Sequence, residues 1–328
     1  MVRRMCFLLK TISIVTPCYN EEGNVYSMYI SVKNVFKDLK QYSYEHIFID
    51  NCSKDNTGKI LQEIACEDKN VKVILNVRNF GPGRSGGYAI LQTKGDAVIG
   101  LACDFQDPPE LIPKFIQMWE EGYKVVFGQK SKSEENGLMF FVRKIYYKLI
   151  KSLSTTEQLE NVTGFGLYDK SVIDMFRWID EPNPYFRGTI AELGYEVGLL
   201  QYTQPKRKAG KSSYNLFSYI DTAINGMINS SKAPLRFATY AGFFMAFLSL
   251  SIAVIYFVLK LIHWNSFNFG IAPLIIGLFF LGSVQLAFIG IIGEYIGSIL
   301  TRVTRRPLVV EKKRLNFDDE MVVKNAER

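Results

Sequence analysis

Two uncharged blocks late in the chain restrict its architecture more than any other feature. Phe237–Leu259 and Trp264–Gly293 run for about 23 and about 30 residues without Asp, Glu, Lys or Arg. Around 20 apolar residues cross a bilayer as a helix. A pair of buried core helices is the alternative, but two such blocks in tandem exceed ordinary helix lengths. Only Lys260 and His263 are basic in the connection, so a tight antiparallel hairpin is expected, with spans near 237–260 and 271–293 inside a 236–300 unit. Lys206, Arg207, Lys208, Lys211, Lys232 and Arg236 precede the hairpin. Arg302, Arg305, Arg306, Lys312, Lys313 and Arg314 follow it. The positive-inside rule then puts both flanks and both termini on the cytoplasmic side of the inner membrane. The net charge of +7 belongs on this reading to an anionic membrane surface and not to nucleic acid.

Residues 301–328 read as a cytoplasmic tail. In 211–235 the residues Leu216, Tyr219, Ile220, Ala223, Ile224, Met227 and Ile228 make a helical apolar stripe. It suits a helix lying in the membrane interface, with packing on the preceding domain as the alternative. Glu294 ends the second block, where a carboxylate needs a partner; Arg302 or Arg236 would serve. Gly277, Gly282, Gly290 and Gly293 allow close helix contacts and leave room for a homo-oligomer.

Residues 1–210 have a different texture. Thr11–Thr16 is β-branched and apolar, as a buried parallel strand is, and Pro17 is expected to end it. Asn20 is expected to cap a helix with Glu21 and Glu22 in its first turn. Val25, Tyr29, Val32, Phe36 and Leu39 follow at helical spacing. Further strands are expected at His46–Asp50, Val71–Leu75, Ala97–Cys103 and Lys124–Phe127, with a helix opened by Pro108 and Pro109. The alternation predicts an α/β domain with a doubly wound, mostly parallel sheet. Ligands of such sheets bind at the carboxyl ends of the strands. Tyr19-Asn20-Glu21, Asp50-Asn51 and Asp104-Phe105-Gln106-Asp107 all fall there.

The five cysteines include no CxxC pair and the chain has two histidines, which disfavours zinc. Cys18, Cys52 and Cys103 beside strand ends read as packing residues in a reduced compartment, there being no neighbouring histidine to activate a thiolate. The apolar run at the N-terminus is too short for a secretory signal.

Several stretches in order resemble the family 2 glycosyltransferases, and within them the polyprenyl-phosphate sugar transferases. They are Val15–Glu22, Ile49–Thr57, Arg78–Gly81, Asp104–Glu110, Arg207–Tyr214, Gly293–Gly297 and Arg306–Leu308. The resemblance runs from Ile12 to Val310 and implies a GT-A-like cytoplasmic domain. It implies an inverting transfer of a hexose from a nucleotide sugar, a UDP-sugar ahead of a GDP-sugar, to a polyprenyl (undecaprenyl-type) phosphate. Pro17, Tyr19, Asn20, Glu21, Asp50, Asp55, Asn79, Gly81 and Asp104 would hold the donor. Asp104 and Gln106 would hold a divalent cation, Mg²⁺ or Mn²⁺, at the diphosphate. Arg187, Arg207, Lys208, Lys211 and Ser212 would take the acceptor phosphate. The residue types agree: charge developing on a leaving diphosphate needs a cation or basic groups to stabilise it, and guanidinium groups match phosphate geometry.

This sequence departs from the family pattern at four places. Asn51 stands where a second acid is common, and Ala102 where a DxD-like triplet has its first Asp. Gly164 and Gly166 stand where an acid and an arginine are usual. The customary general base is thus missing, with Glu192 and Asp107 as the replacements on offer. A phosphate acceptor is already ionised near pH 7 and hardly needs one. Two other readings remain open: a catalytically weakened membrane scaffold, and a polysaccharide-extending transferase. The second is opposed by the short hairpin and the lack of a QxxRW run.

Overall fold

A computed structural model describes residues 9–130, 162–179, 186–205, 233–262, 271–304 and 306–317. The chain divides into two compact units. The first is an α/β domain with strands β1 (Lys10–Cys18), β2 (Tyr42–Asp50), β3 (Val71–Asn76), β4 (Ala97–Gly100), β5 (Val125–Lys130), β6 (Val162–Asp169), β7 (Val197–Tyr202) and β8 (Glu311–Leu315). Its described helices are α1 (Val25–Asp38), α2 (Thr57–Glu67), α3 (Pro82–Leu91), α4 (Ile112–Glu120), α5 (Lys170–Ile179) and α6 (Phe186–Leu193).

The strands form one sheet in the order β7-β5-β6-β4-β1-β2-β3-β8. β1 pairs parallel with β2 and β4, β2 with β3, and β5 with β7. β6 runs antiparallel to both β4 and β5, and β8 antiparallel to β3. The sheet is therefore mixed, and parallel at its centre, where the right-handed strand–helix–strand crossovers put helices on its faces.

Ile12, Ile14, Phe48, Val73 and Ile99 look into a core with α1, α2 and α4, through Val32, Leu61 and Phe115. Val15, Ile47, Ile49, Ile74 and Val98 supply the opposite face with Ala89 of α3 and Phe176 of α5. Burial on both faces explains why these strands read as continuous apolar runs and not as alternating ones.

Three local expectations are corrected. β1 passes through Pro17, whose Cα partner is Ile49; its missing N–H falls on the β4 side, where the ladder has already ended at Val15. Asn20 is not a helix cap. It takes φ 56 in a turn, and α1 starts at Val25 after Asn24, so Glu21 and Glu22 lie before the helix. β4 stops at Gly100, leaving Leu101–Cys103 in the loop that leads to Asp104.

The tail reading is corrected as well. Residues 311–315 are a strand, with Val73 opposite Leu315 and Leu75 opposite Lys313. Asn316, at φ 61, ends it. Its Nδ2 donates to the carbonyls of Ala65 at 2.6 Å and Val71 at 2.8 Å. Glu311 accepts from Tyr88 Oη at 2.9 Å and pairs with Arg314, which also donates to Gln92 Oε1 at 2.9 Å.

The second unit contains α7 (Ala233–Ile262) and α8 (Ile271–Val303). Within them Leu235–Leu259 and Phe280–Thr301 are long and apolar enough to cross a membrane. Phe237, Phe243, Phe247, Leu274 and Leu286 are all exposed by 70% or more, which suits a nonpolar surround and not water. The second helix continues ten residues past the expected end at 293, so Glu294 lies inside it. The stretch expected as an interfacial helix is mostly outside the described residues.

Candidate active site

The loops after β1, β2, β3 and β4 meet at the carboxyl edge of the central strands. Asn20, Cys52 and Phe105 in three of them adopt φ of 56, 63 and 62. Left-handed backbone at non-glycine residues is costly and tends to gather at functional sites.

The first two loops are laced by short polar side chains. Asn20 N donates to Ser53 Oγ at 2.9 Å and Asn20 Oδ1 accepts from Lys54 N at 2.8 Å. Glu21 N donates to Thr57 Oγ1 at 2.9 Å, and Thr57 Oγ1 donates to Asp55 Oδ1 at 2.6 Å. Glu22 N donates to Asp55 Oδ2 at 3.2 Å, while its carboxylate accepts from Asn56 N at 2.9 Å. Asp50 is buried at the end of β2 and accepts from Ser53 N and Ser53 Oγ. Burial pushes the Asp50 carboxyl up despite the opposing Ser53 bonds. At Asp55 burial acts in the same direction, but donation from Thr57 and Glu22 outweighs it and holds the carboxyl below its usual value. Pro17, Tyr19, Asn20, Glu21, Asp50 and Asp55 thus lie at or just beyond the carboxyl ends of β1 and β2. Glu21 has a structural task too, since its carboxylate accepts from Asn24 Nδ2 at 2.7 Å just before α1.

Asn51, read from the sequence as a lost acid, joins the second loop to the third. Its Oδ1 accepts from Phe80 N at 2.9 Å and from Asn76 Nδ2 at 3.2 Å, and its Nδ2 donates to Asn79 Oδ1 at 2.9 Å. Asn79 Oδ1 also accepts from Gly81 N at 2.8 Å. The backbone N–H donors fix which atom of each amide is oxygen. A carboxylate at 51 could not donate to Asn79, so the amide is the residue type this junction requires. Gly81 supplies the φ of 87 needed before Pro82 starts α3. Asn51, Asn76, Ser53 and Thr57 organise these loops; runs of Asn, Asp, Ser and Thr after a strand are the sequence signal that marks such residues.

The fourth loop holds Asp104 and Asp107, exposed by only 6% and 8%. Asp104 Oδ1 accepts from Gln106 N at 3.1 Å, a tight Asx turn. Asp107 accepts from Ala102 N at 3.2 Å and from Tyr202 Oη at 3.2 Å. Burial raises the Asp107 carboxyl to about 6. Position 102 thus contributes its backbone to the loop. Cys18 and Cys103 are buried. Burial, then contact with Cys103, pushes the Cys18 thiol well up, so it packs and is no nucleophile.

The two glycines standing in for acid and arginine have local causes. Gly164 has φ 115. A Cβ on Gly166 would lie 2.4 Å from the carbonyl oxygen of Val126, so no side chain fits while β5 and β6 stay paired.

Among the described residues no group of three or more His, Cys, Asp or Glu could hold a metal. One buried carboxylate, Asp104, fits a hard cation held mainly through a ligand's phosphate oxygens, as Mg²⁺ commonly is. Of the acceptor-side residues, Arg187 donates to the carbonyl of Val162. Glu192 is exposed in the last turn of α6. Arg207, Lys208, Lys211 and Ser212 lie outside the described residues.

Residues 13–176 match glycosyl transferase family 2. The SfII prophage-derived bactoprenol glucosyl transferase of Shigella flexneri is 34% identical over 303 residues, covering 92% of this chain and 97% of that protein. An uncharacterized glycosyltransferase of Bacillus subtilis (strain 168) is 32% identical over 316 residues, with 95% and 97% covered. Among solved structures, mannosyl-3-phosphoglycerate synthase from Rubrobacter xylanophilus aligns with a TM-score of 0.48 at 15% identity, covering 71% of this chain and 75% of that one.

Proposed function

Because the chain belongs to glycosyl transferase family 2, we propose that it transfers a hexose from a UDP-sugar to undecaprenyl-type phosphate at the cytoplasmic face of the inner membrane. The observation that carries this reading is the match to a bactoprenol glucosyl transferase across 97% of that protein, apolar helices included. An activity tied to a lipid acceptor needs both the sheet domain and the hairpin, and the likeness spans both.

The lipid phosphate oxygen attacks the anomeric carbon, the bond from that carbon to the nucleotide's diphosphate breaks, and nucleoside diphosphate departs. The loops of Tyr19–Glu21, Asp50–Asp55 and Asn79–Gly81 hold the nucleotide. Their mutual hydrogen bonds set its pocket before it arrives, which lowers the ordering cost of binding. Asp104 and Gln106 would hold a divalent cation, which would supply positive charge against the charge developing on the diphosphate. Arg187, Arg207, Lys208, Lys211 and Ser212 take the acceptor phosphate. That phosphate carries its own negative charge at pH 7, so the missing base costs little. Asp107 is committed to Ala102 and Tyr202 and shapes the loop.

The test is transfer of labelled sugar by detergent-purified full-length protein. Undecaprenyl phosphate is supplied with UDP- and GDP-sugars, in Mn²⁺, Mg²⁺ or chelator. Label entering the lipid phase from a UDP-sugar, and lost in Asp104→Ala, supports the reading. Folded protein that neither binds nucleotide nor transfers label from any donor overturns it in favour of the scaffold.

A further inference from the structure

We infer that Arg78, Arg84 and Arg306 form a docking surface for the phosphate headgroup of an anionic membrane lipid, beside the Asn79–Gly81 loop and separate in function from nucleotide binding. All three belong to the sheet domain. Arg78 lies in the third loop, where its Nη1 donates to the carbonyl of Asn79 at 3.2 Å and its guanidinium sits over the Phe80 ring at 4.1 Å. Arg84 lies in the first turn of α3 and its Nη2 donates to the carbonyl of Pro307 at 2.9 Å, which brings Arg306 beside it. The three cations thus come from two chain segments 220 residues apart. Among the described residues none of them pairs with a carboxylate. Arg84 Nε is buried with no partner.

Like charges gathered without a counter-ion repel one another, and the Arg84 guanidinium shows it. Burial, then the charges of Arg78 and Arg306, hold it below its usual value. An anion at this spot relieves the repulsion, and guanidinium groups suit phosphate in particular. The backbone between Arg78 and Arg84 is open: a Cβ built on Gly81 or on Gly83 would meet nothing within 4 Å.

Two observations favour a lipid phosphate over a free one. Val77 N donates to the carbonyl of Val310 at 3.0 Å, and both valines are 46% exposed, so the cations border a small apolar surface. Arg306 also follows the end of α8, at Val303, by only three residues, and Arg302 and Arg305 add charge to that stretch. Basic residues following an apolar helix recognise anionic headgroups, with apolar neighbours entering the interface.

Thermal unfolding of the full chain in neutral detergent tests this. The probes are dioctanoyl phosphatidylglycerol, dioctanoyl phosphatidylcholine, inorganic phosphate and UDP, on wild type and on Arg84→Gln, Arg306→Gln and Arg306→Lys. Phosphatidylglycerol is expected to raise the wild-type Tm saturably, and phosphatidylcholine and inorganic phosphate to leave it unmoved. Either glutamine variant is expected to need about fivefold more phosphatidylglycerol, the effect of one cation at an anionic surface. Arg306→Lys retains most of the response, and UDP acts equally on all four proteins. Arg306 is exposed, so its variants fold and remain decisive even if Arg84→Gln lowers stability. Equal responses of wild type and Arg306→Gln to phosphatidylglycerol would falsify the proposal. So would an equal effect of inorganic phosphate, or loss of the UDP response along with the lipid one, which would assign the arginines to the nucleotide.

Discussion

The side-chain amide of Asn51 donates to Asn79 Oδ1 across 2.9 Å, joining the loop after β2 to the loop after β3. Asn51→Asp keeps the acceptor for Phe80 N but sets a second oxygen against Asn79 Oδ1. The expected loss is about 1–3 kcal/mol of stability. If the loops hold the nucleotide, the KM for the donor rises more than kcat falls. Thermal unfolding with donor-dependent kinetics checks both, and an unchanged Tm and KM would remove Asn51 as the junction.

Asp104→Asn preserves the bond from Gln106 N while deleting the negative charge. Transfer is expected to fall about 100-fold or more, as when one stabilising group is removed from a developing charge, with Tm little changed. Labelled-sugar transfer across a manganese titration reads the effect. A variant of near wild-type rate would take Asp104 out of the reaction.

His46 is buried with its Nε2 2.9 Å from Thr16 Oγ1 and its Nδ1 unpartnered. Burial lowers its pKa to about 3, below the ordinary value near 6.5. Between those values the unfolded chain binds a proton that the folded chain refuses. Stability is therefore full above pH 6.5 and falls as pH drops toward 3, by on the order of 2 kcal/mol at pH 5. Unfolding of His46→Gln should show a flatter pH profile between 4 and 6.5. A profile parallel to wild type would mean that His46 is not responsible.

Gly166→Ala places a methyl 2.4 Å from a backbone oxygen of β5. Backbone cannot swing aside as a side chain can, so about 1–3 kcal/mol should be lost, visible as a lower Tm. Gly95→Ala, whose Cβ would meet Thr11 O at 2.7 Å, is a matched control at the opposite end of the strands. It should lose stability with no preferential effect on donor binding.

Asn316→Ala removes the donors that reach the carbonyls of Ala65 and Val71 and leaves an unfavourable φ of 61. Asn316→Gly relieves only the backbone. A drop of about 1–2 kcal/mol for alanine and a smaller one for glycine is expected from urea unfolding. Equal losses would mean that the side-chain bonds contribute everything and the backbone nothing.

The parallel centre of the sheet was legible in sequence because its strands are buried on both faces and so carry apolar runs, Ile47–Ile49 and Val73–Leu75 among them. The clusters that gather at its edge were legible for a related reason, since polar residues end each run. β8 was hidden. Glu311-Lys312-Lys313-Arg314 is charged, as an edge strand with one neighbour can be, and its partner β3 lies more than 200 residues earlier. The Asn51 role was hidden differently: a pattern marks it as a missing acid, and only the positions of Phe80 N and Asn79 show why an amide belongs there. The place of Gly166 is likewise set by Val126, forty residues away in the chain.

The late strand also has a consequence for biosynthesis. Glu311 pairs with Asn76, so a ribosome adding about 5–20 residues per second needs about 12 s or more to span the gap. Throughout that interval the nascent domain has one naked margin, with Val73 and Leu75 unpaired on their outer side. Both apolar helices leave the exit tunnel before the margin is closed. The domain nearest the start of the message is thus among the last parts of the molecule to be finished, and its completion reports that translation has passed both apolar helices.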